Sequence, residues 1–417
     1  MPTKPHKLPF QPDAAGPLAG VRVLDLSRLV AGNMLSLQLA DFGADVIKVE
    51  PPSGDPLRDW RDGGEELHWK TYARNKRSIV LNFRHAAAKD ALLRLVATAD
   101  VLIENFRPGT LEEMGLGPDV LHGRNPGLVV VRVSGFGQTG PYAPLPGFGT
   151  LVEAMSGFAA RTGFADREPV LPPLALADMI AGLYGAFAVV TALRARDHGG
   201  GGGGNGGGSG GGGQVIDLSL LESMFSVLGP EAAIYRRTGA VKERIGSGSN
   251  TSAPRNVYRC ADGDYVALSG STGTMARRVF EVIGRPDMIA DERFATNSAR
   301  VEHRELVDEA VGAWFAGKRR DEAVRLMRAA QVTVGPVYTI ADASADAHFC
   351  EREIIVEVDD PELGLLAMHN IVPRLSRTPG VLRRPAPRLG EHTDAVLAEA
   401  GLDADAIARL RKEGGAA

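Results

Sequence analysis

Three features of the sequence predict an α/β fold, in which a parallel sheet is covered by helices and followed by a smaller α+β domain. Short apolar runs alternate with stretches of helical spacing through the first half of the chain, as βαβ units require. The texture changes between residues 242 and 338, where charged amphipathic segments surround one convincing strand. The composition, 44% hydrophobic and 24% charged over 417 residues, is that of a globular chain with room for two or three domains.

Taken in order, residues 21–26 (VRVLDL) read as the first strand, residues 34–42 carry helical spacing, and residues 45–50 (DVIKVE) repeat the strand pattern. Residues 80–83, the helical stretch 86–99, and the runs 101–104 (VLIE) and 128–134 (LVVVRVS) continue the alternation. Ligands of such sheets bind at the carboxyl ends of the strands, so the chemistry is expected in the loops that follow them. Asp178 opens a long apolar helix that ends near Arg196, and residues 214–219 (QVIDLS) lead into a second helix from Leu220. Beyond residue 240, residues 265–268 form a strand, and helices are expected over 275–284 and 304–330. The division that follows is a disordered lead-in (1–17), the first part of a large domain (18–230), a small domain (240–345) and a return to the large domain (355–417).

Composition narrows the function. A formal charge of -4 and a pI of about 6.2, with no extended basic stripe, argue against nucleic acid. Two cysteines, Cys260 and Cys350, are too few for a disulfide framework, so a reducing, cytoplasmic setting is expected. The first 17 residues hold five prolines and no apolar core, and read as a solvated lead-in rather than a signal peptide. The nearly apolar run 179–193 is shorter than the roughly 20 residues a bilayer needs and reads as a buried helix, so no membrane association is expected. Of 51 glycines, 13 fall in residues 199–213, a tract expected to be a flexible insert with no chemistry of its own.

Three constellations are candidates for chemistry. Gly135, Gly137 and Gly140 in VSGFGQTGPY match GxGxxG after a strand, but Pro141, Pro144 and Pro146 forbid the helix that a dinucleotide site needs there. They read as a turn or a substrate loop. Arg74, Lys76 and Arg77 in ARNKRS and Asn105, Phe106 and Arg107 in ENFRPG lie at strand ends, where they form either a solvated edge or a site for phosphates and a flat group. Asp178 in LALADMIAGLYGAF suits a helix N-cap, which would lower its pKa and keep it ionised, and a carboxylate so held also suits a nucleophile toward an activated acyl group. No histidine pair has metal-ligand spacing, and no metal is expected. Gly246 and Gly248 in RIGSGSNTS mark a flexible loop.

The sequence resembles the class III CoA-transferases of the CaiB/BaiF family from about Leu18 to the end. The carriers are LAGVRVLDLSRLVAGN, LADFGADVIKVEPPSGDPLR, NKRSIVLNF, DVLIENFRPGTLEEMGLG, SGFGQTGPY, LADMIAG, GQVIDLSLLES and PRLGEHT, eight segments in the family's order. The resemblance implies a Rossmann-like large domain with a smaller α+β domain, two chains threaded into an interlocked homodimer, and coenzyme A or acyl-CoA as substrate with no permanently bound cofactor. It places the nucleophile on Asp178 and CoA contacts on or near Leu29, Val30, Ala31, Asn75, Lys76, Asn105, Phe106 and Arg107. It sets Gly246 and Gly248 in a loop over the active site, and Gly32, Gly135, Gly137 and Gly140 where the backbone approaches a ligand. The implied activity moves CoA from an acyl-CoA donor to a free acid through an aspartyl-CoA thioester.

Departures from formyl-CoA transferase shift the expected acid. Val30 stands in place of its glutamine in the first strand–helix loop, Gly149 in place of its active-site glutamate, and Glu153 in place of another glutamine. Asn33 occupies a position where many members have proline, and Leu145 and Pro146 a stretch where a basic residue is common. The acceptor is expected to be a small dicarboxylate. The alternatives are an α-methylacyl-CoA racemase, which needs a second proton carrier where this chain has Phe148, and a non-catalytic CoA-binding module.

Overall fold

The computed structural model describes residues 4–199 and 211–417. Most of the glycine tract, residues 200–210, lies outside the described residues. The chain divides into two compact units, one made of residues up to Phe158 with Leu171–Gly229 and Ala347–Ala417, the other of Ala159–Val170 with Pro230–Asp346. The second unit therefore starts earlier than expected and takes a segment from within the expected large domain. That segment joins it by pairing, with a bridge from Phe164 to Ile245 and a bond from Gly246 N–H to the Gly163 carbonyl.

The first unit is built on a six-stranded sheet in the order β4-β3-β2-β5-β6-β7, from β2 (Arg22–Asp25), β3 (Asp45–Glu50), β4 (Lys76–Val80), β5 (Val101–Glu104), β6 (Val129–Ser134) and β7 (Val215–Ser219). Every pairing is parallel. Alternate residues of each strand point to opposite faces, and both faces are dry. Leu24, Ile47, Leu102 and Val130 pack with the Ala86–Val96 helix on one side. Val23, Val46, Val101 and Val131 pack on the other with residues of the Ala31–Asp41 and Leu176–Asp197 helices. The chain reverses its direction of winding between β2 and β5, so the loops after these two strands diverge and leave a crevice.

Two expectations for this unit shift. Strand β4 was expected over residues 80–83, but it begins at Lys76 because Lys76 and Ser78 are polar and still fully buried: Lys76 donates to Asn33 Oδ1 at 3.0 Å, and Ser78 Oγ to Glu50 at 2.6 Å. The lead-in is not wholly disordered. His6–Lys7 forms β1, which pairs in parallel with Val356 and Glu357 of β11 (Ile355–Asp360), itself antiparallel to β12 (Gly364–His369). Backbone pairing of this kind needs no apolar sequence signal.

The second unit holds an antiparallel sheet, β8 (Arg255–Arg259), β9 (Tyr265–Ser269) and β10 (Val334–Pro336), packed with helices Gly273–Val282, Arg304–Ala316 and Arg320–Ala329. The expected single helix over 304–330 is two. It breaks at Gly317, after which Lys318 O accepts from Ala261 N–H and Asp262 accepts from Arg320 N–H at 3.0 Å, so the chain past the break is held by the β8–β9 turn.

The Leu176–Asp197 helix lies against the Ala31–Asp41 helix along two glycines. A Cβ on Gly182 would come within 2.7 Å of Met34 Cγ, and one on Gly185 would overlap Leu35 Cδ1 and stand 2.8 Å from Leu218 Cδ2. The helix is long and apolar enough to cross a membrane, yet this side is packed inside the unit. Its other side exposes Leu183, Tyr184, Phe187 and Val190, with Phe187 73% exposed. Gly185→Val should therefore over-pack the helix pair and destabilise the protein by about 1–3 kcal/mol, measured by chemical denaturation.

Candidate active site

A cavity of about 440 Å³ opens where the β2 and β5 loops part. Its wall takes Arg28, Leu29 and Ala31 from the turn after β2, Asn105, Phe106 and Arg107 from the turn after β5, and Gly135 from the turn after β6. Asp178 closes it from the Leu176–Asp197 helix. The two turns are laced together by Asn105, whose Oδ1 accepts from Arg28 N–H at 2.8 Å while its Nδ2 donates to Arg28 O at 2.7 Å. Asn105 is thus a clasp between cavity walls. Phe106 is fixed by its N–H to Glu104 at 2.7 Å, and the Arg28 guanidinium sits 5.3 Å from its ring centre. Arg28 and Arg107 are exposed, and among the described residues neither makes an ion pair.

Asp178 is not the N-cap. The helix begins two residues earlier, with Ala175 at the cap and no side-chain acceptor of its own, which puts Asp178 in the first turn. The N–H of Ala177 is accepted instead by Glu153 Oε1, at 3.0 Å, from the Gly149–Met155 helix. The expected lowering of the Asp178 pKa is reversed. Burial, first, and the negative charge of Glu153, second, push its carboxyl up to about 6, against an opposing pull from the N–H groups of Asp178 itself and of Ala31. Gly149 lies one turn before Glu153, and a Cβ there would overlap Asp178 Oδ2.

Of the remaining residues singled out in the sequence, Leu29 and Ala31 line the cavity, whereas Val30 does not. Val30 is buried beside Leu57, Trp69 and Ala73. Asn75 and Lys76 are buried too, and their polar atoms are committed. Asn75 donates to Asp41 and to Val381 O and accepts from the N–H groups of Arg383 and Arg384. Lys76 donates to the Asn33 side chain and carbonyl, both at 3.0 Å, and burial holds its pKa down at about 8. Arg74 is paired with Asp41 at 2.7 Å inside the protein. The charged run reads as either a solvated edge or a phosphate site because sequence reports charge and not depth.

These buried groups belong to a cluster beneath the turn after β2. Lys48 lies 3.0 Å from Asp55 and 3.3 Å from Asp25, and also donates to Ser27 O. Asp55 accepts the N–H of Leu29 at 2.9 Å and Asn33 Nδ2 at 2.8 Å, and Asn33 Nδ2 also donates to Leu29 O at 2.6 Å. This holds Leu29 at φ 60°, in the left-handed region that a leucine enters only under constraint. Gly32 makes room for the same turn, since a Cβ there would overlap Ser27. Asn33, noted as a departure, is therefore a structural partner of Lys76 and Asp55.

Residues 18–393 match CoA-transferase family III. The chain belongs to that family. This transferase is 40% identical over 400 residues to the succinyl-CoA–D-citramalate CoA-transferase of Chloroflexus aurantiacus, across 95% of this chain and 97% of that protein. It is 38% identical over 402 residues to the alpha subunit of a succinyl-CoA–L-malate CoA-transferase of Chloroflexus aurantiacus, across 95% and 91% of the two. A crystal structure of a CaiB/BaiF family protein from Brucella suis superposes with a TM-score of 0.80 at 34% identity, covering 93% of this chain and 100% of that one.

The transferase's glycines divide in two. Gly135 lines the cavity and meets Gly147 so closely that a Cβ on either would stand 2.7 Å from the other's Cα. Gly137 and Gly140, at φ 94° and 88°, shape the turn without reaching the wall. Gly246 and Gly248 are in the second unit, where Arg255 Nη1 donates to Ser247 O and Gly248 O, so the loop is tethered. Among the described residues no group of three His, Cys, Asp or Glu side chains could hold a metal. Sequence reasoning passed over Arg28, for which no isolated signal exists, and left Glu153 without a role.

Two variants test this geometry. Gly149→Ala should displace the Asp178 carboxylate and lower kcat by about a hundredfold, the scale of a 1 Å misplacement, with the melting temperature nearly unchanged. Asp178→Asn should stabilise the protein. A folded pKa near 6, above the unfolded value of about 3.9, means the acid's contribution is complete below the unfolded value and is lost as pH rises through the folded one. The gain should be at most about 3 kcal/mol at pH 7.5 and vanish near pH 3.5, as followed by urea unfolding at both pH values.

Proposed function

We propose that the transferase carries CoA from a dicarboxylic acyl-CoA, such as succinyl-CoA, to a second small dicarboxylic acid through a covalent intermediate on Asp178. The observation that carries this reading is a half-buried carboxylate facing a cavity whose rim holds the guanidinium groups of Arg28 and Arg107. Those two groups suit the phosphates of CoA or the distal carboxylate of the acid, and Phe106 offers a face to a flat or apolar group. The named activities of the citramalate and malate relatives support the choice of acid.

The ionised Asp178 attacks the donor's thioester carbon, the C–S bond breaks, and the electron pair leaves on the CoA thiolate, giving a mixed anhydride. The thiolate then attacks the Asp178 carbonyl carbon and expels the donor's carboxylate, which leaves an aspartyl-CoA thioester. The acceptor's carboxylate attacks that thioester and expels the thiolate. The thiolate attacks the acceptor's acyl carbon, forming the new acyl-CoA and freeing Asp178. No proton is consumed, and covalent catalysis divides one acyl exchange into smaller steps. Phe148 lines the cavity and carries no proton, which disfavours the racemase reading.

The same reading includes an interlocked homodimer. The row Leu183, Tyr184, Phe187 and Val190 is an apolar face of the kind that a second copy covers. It also includes a cytoplasmic setting, in keeping with a chain that holds only two cysteines, Cys260 and Cys350. With succinyl-CoA as donor, an acceptor panel of citramalate, malate, glutarate and monocarboxylic acids should show transfer to the dicarboxylates by mass spectrometry, and none in Asp178→Ala. Turnover that survives in that variant would rule out the nucleophile.

A further inference from the structure

The Gly149–Met155 helix meets the start of the Leu176–Asp197 helix twice, and the second contact is unlike the first. Gly149 leaves space for the Asp178 carboxylate, whereas Glu153, one turn on, brings a second carboxyl to the same helix start. Glu153 is only 3% exposed, and its Oε1 accepts the Ala177 N–H at 3.0 Å. Neutral acceptors would perform that capping as well. A charged one, buried beside a carboxylate that must itself ionise, is costly, and among the described residues Glu153 makes no ion pair that would neutralise it.

The surroundings of Asp178 do little to offset this charge. The Ala31–Asp41 helix offers it the Ala31 N–H, the Leu220–Ser226 helix brings the apolar Leu220 to the cavity, and Arg28 and Arg107 stand in the β2 and β5 turns on the same cavity wall. From the Gly149–Met155 helix comes the negative charge of Glu153. Repulsion between the two carboxylates exists only while Asp178 is ionised. In the step Asp178–COO⁻ + RCO–SCoA → Asp178–CO–SCoA + RCOO⁻ the charge leaves Asp178 with the released acid, and a neutral thioester remains next to Glu153.

We propose that Glu153 is a positioning residue that raises the energy of the resting Asp178 carboxylate and so drives the enzyme toward its covalent aspartyl-CoA form. The inference rests on Asp178 being the nucleophile and assigns the charge beside it a function. Glu153 holds the helix start in place and is discharged of its repulsion each time the thioester forms. The protonated acid and the thioester are both neutral, so one repulsion governs both equilibria.

The test is Glu153→Gln, which keeps an acceptor oxygen for Ala177 and removes the charge, with Glu153→Ala as a second neutral variant. Two quantities are read in each: the pH midpoint of kcat/KM for succinyl-CoA, and the fraction of enzyme trapped as aspartyl-CoA thioester by rapid quench and mass spectrometry at a fixed succinyl-CoA to succinate ratio. The midpoint should move from near pH 6 toward the ordinary carboxylate range, and the thioester-to-free ratio should fall about tenfold for each pH unit of that movement. A lower kcat or melting temperature with both quantities unchanged would overturn the proposal and leave Glu153 a structural cap. Should the Gln variant not fold, the Ala variant decides by the same two readings, and should neither fold, the charge is needed for folding and the proposal fails. Absence of any thioester in the unaltered enzyme would instead refute the nucleophile reading.

Discussion

The cavity depends on a set of charges that water does not reach. Lys48, Lys76, Asp25 and Asp55 are all buried beneath the turn after β2, against β3 and the start of β4. Ions in such a place lose hydration worth several kcal/mol each, which is recovered only when every lone pair and N–H finds a partner. Here they do. Asp25 accepts Ser27 N–H and the hydroxyls of Ser27 and Ser36, and Asp55 accepts Leu29 and Leu57 N–H groups. The opposing effect of burial on Lys48 is outweighed by Asp25, Asp55 and Glu50, which keep it charged. The result fixes the one turn that presents Leu29 and Ala31 to the cavity and sets the start of the Ala31–Asp41 helix against Asp178.

That arrangement also explains which parts of the site the sequence disclosed. The alternation of strands and helices was legible because both faces of the sheet are dry, so strands such as Val129–Ser134 are apolar almost throughout. It failed at β4, where Lys76 and Ser78 satisfy their polar atoms indoors. Asp178 was legible as a lone carboxylate at the start of an apolar helix, and its motif matched the family. Its environment was not, because Glu153 and Gly149 come from a helix some 25 to 30 residues away in the chain and hydropathy carries no record of their approach. The depth of Asn75 and Lys76 was not legible for the converse reason: a basic run reads the same whether it faces solvent or Asp25.

Stability and activity pull in different directions at Asp178. The resting carboxylate is held in a poorly solvated seat next to another negative group, so the folded chain tolerates an unfavourable charge in the cavity wall. Strain of this kind persists because the surroundings are over-determined: two glycines let the long helix lie close, the ion cluster pins the opposing helix, and Asn105 ties the two cavity turns. None of these supports is part of the Asp178 carboxylate, yet each helps to fix where it stands.

The meeting of Gly135 and Gly147 has a consequence for remodelling the enzyme. Two main-chain segments cross there without side chains between them, so this portion of the wall has a fixed thickness and presents peptide groups rather than variable surface. A change of acid specificity on that side has to be written at the flanking positions Leu145, Pro146 and Phe148, which line the same cavity. The crossing acts as a hinge pin about which a library of those three residues can vary, while the crossing itself admits no alternative amino acid without moving the backbone.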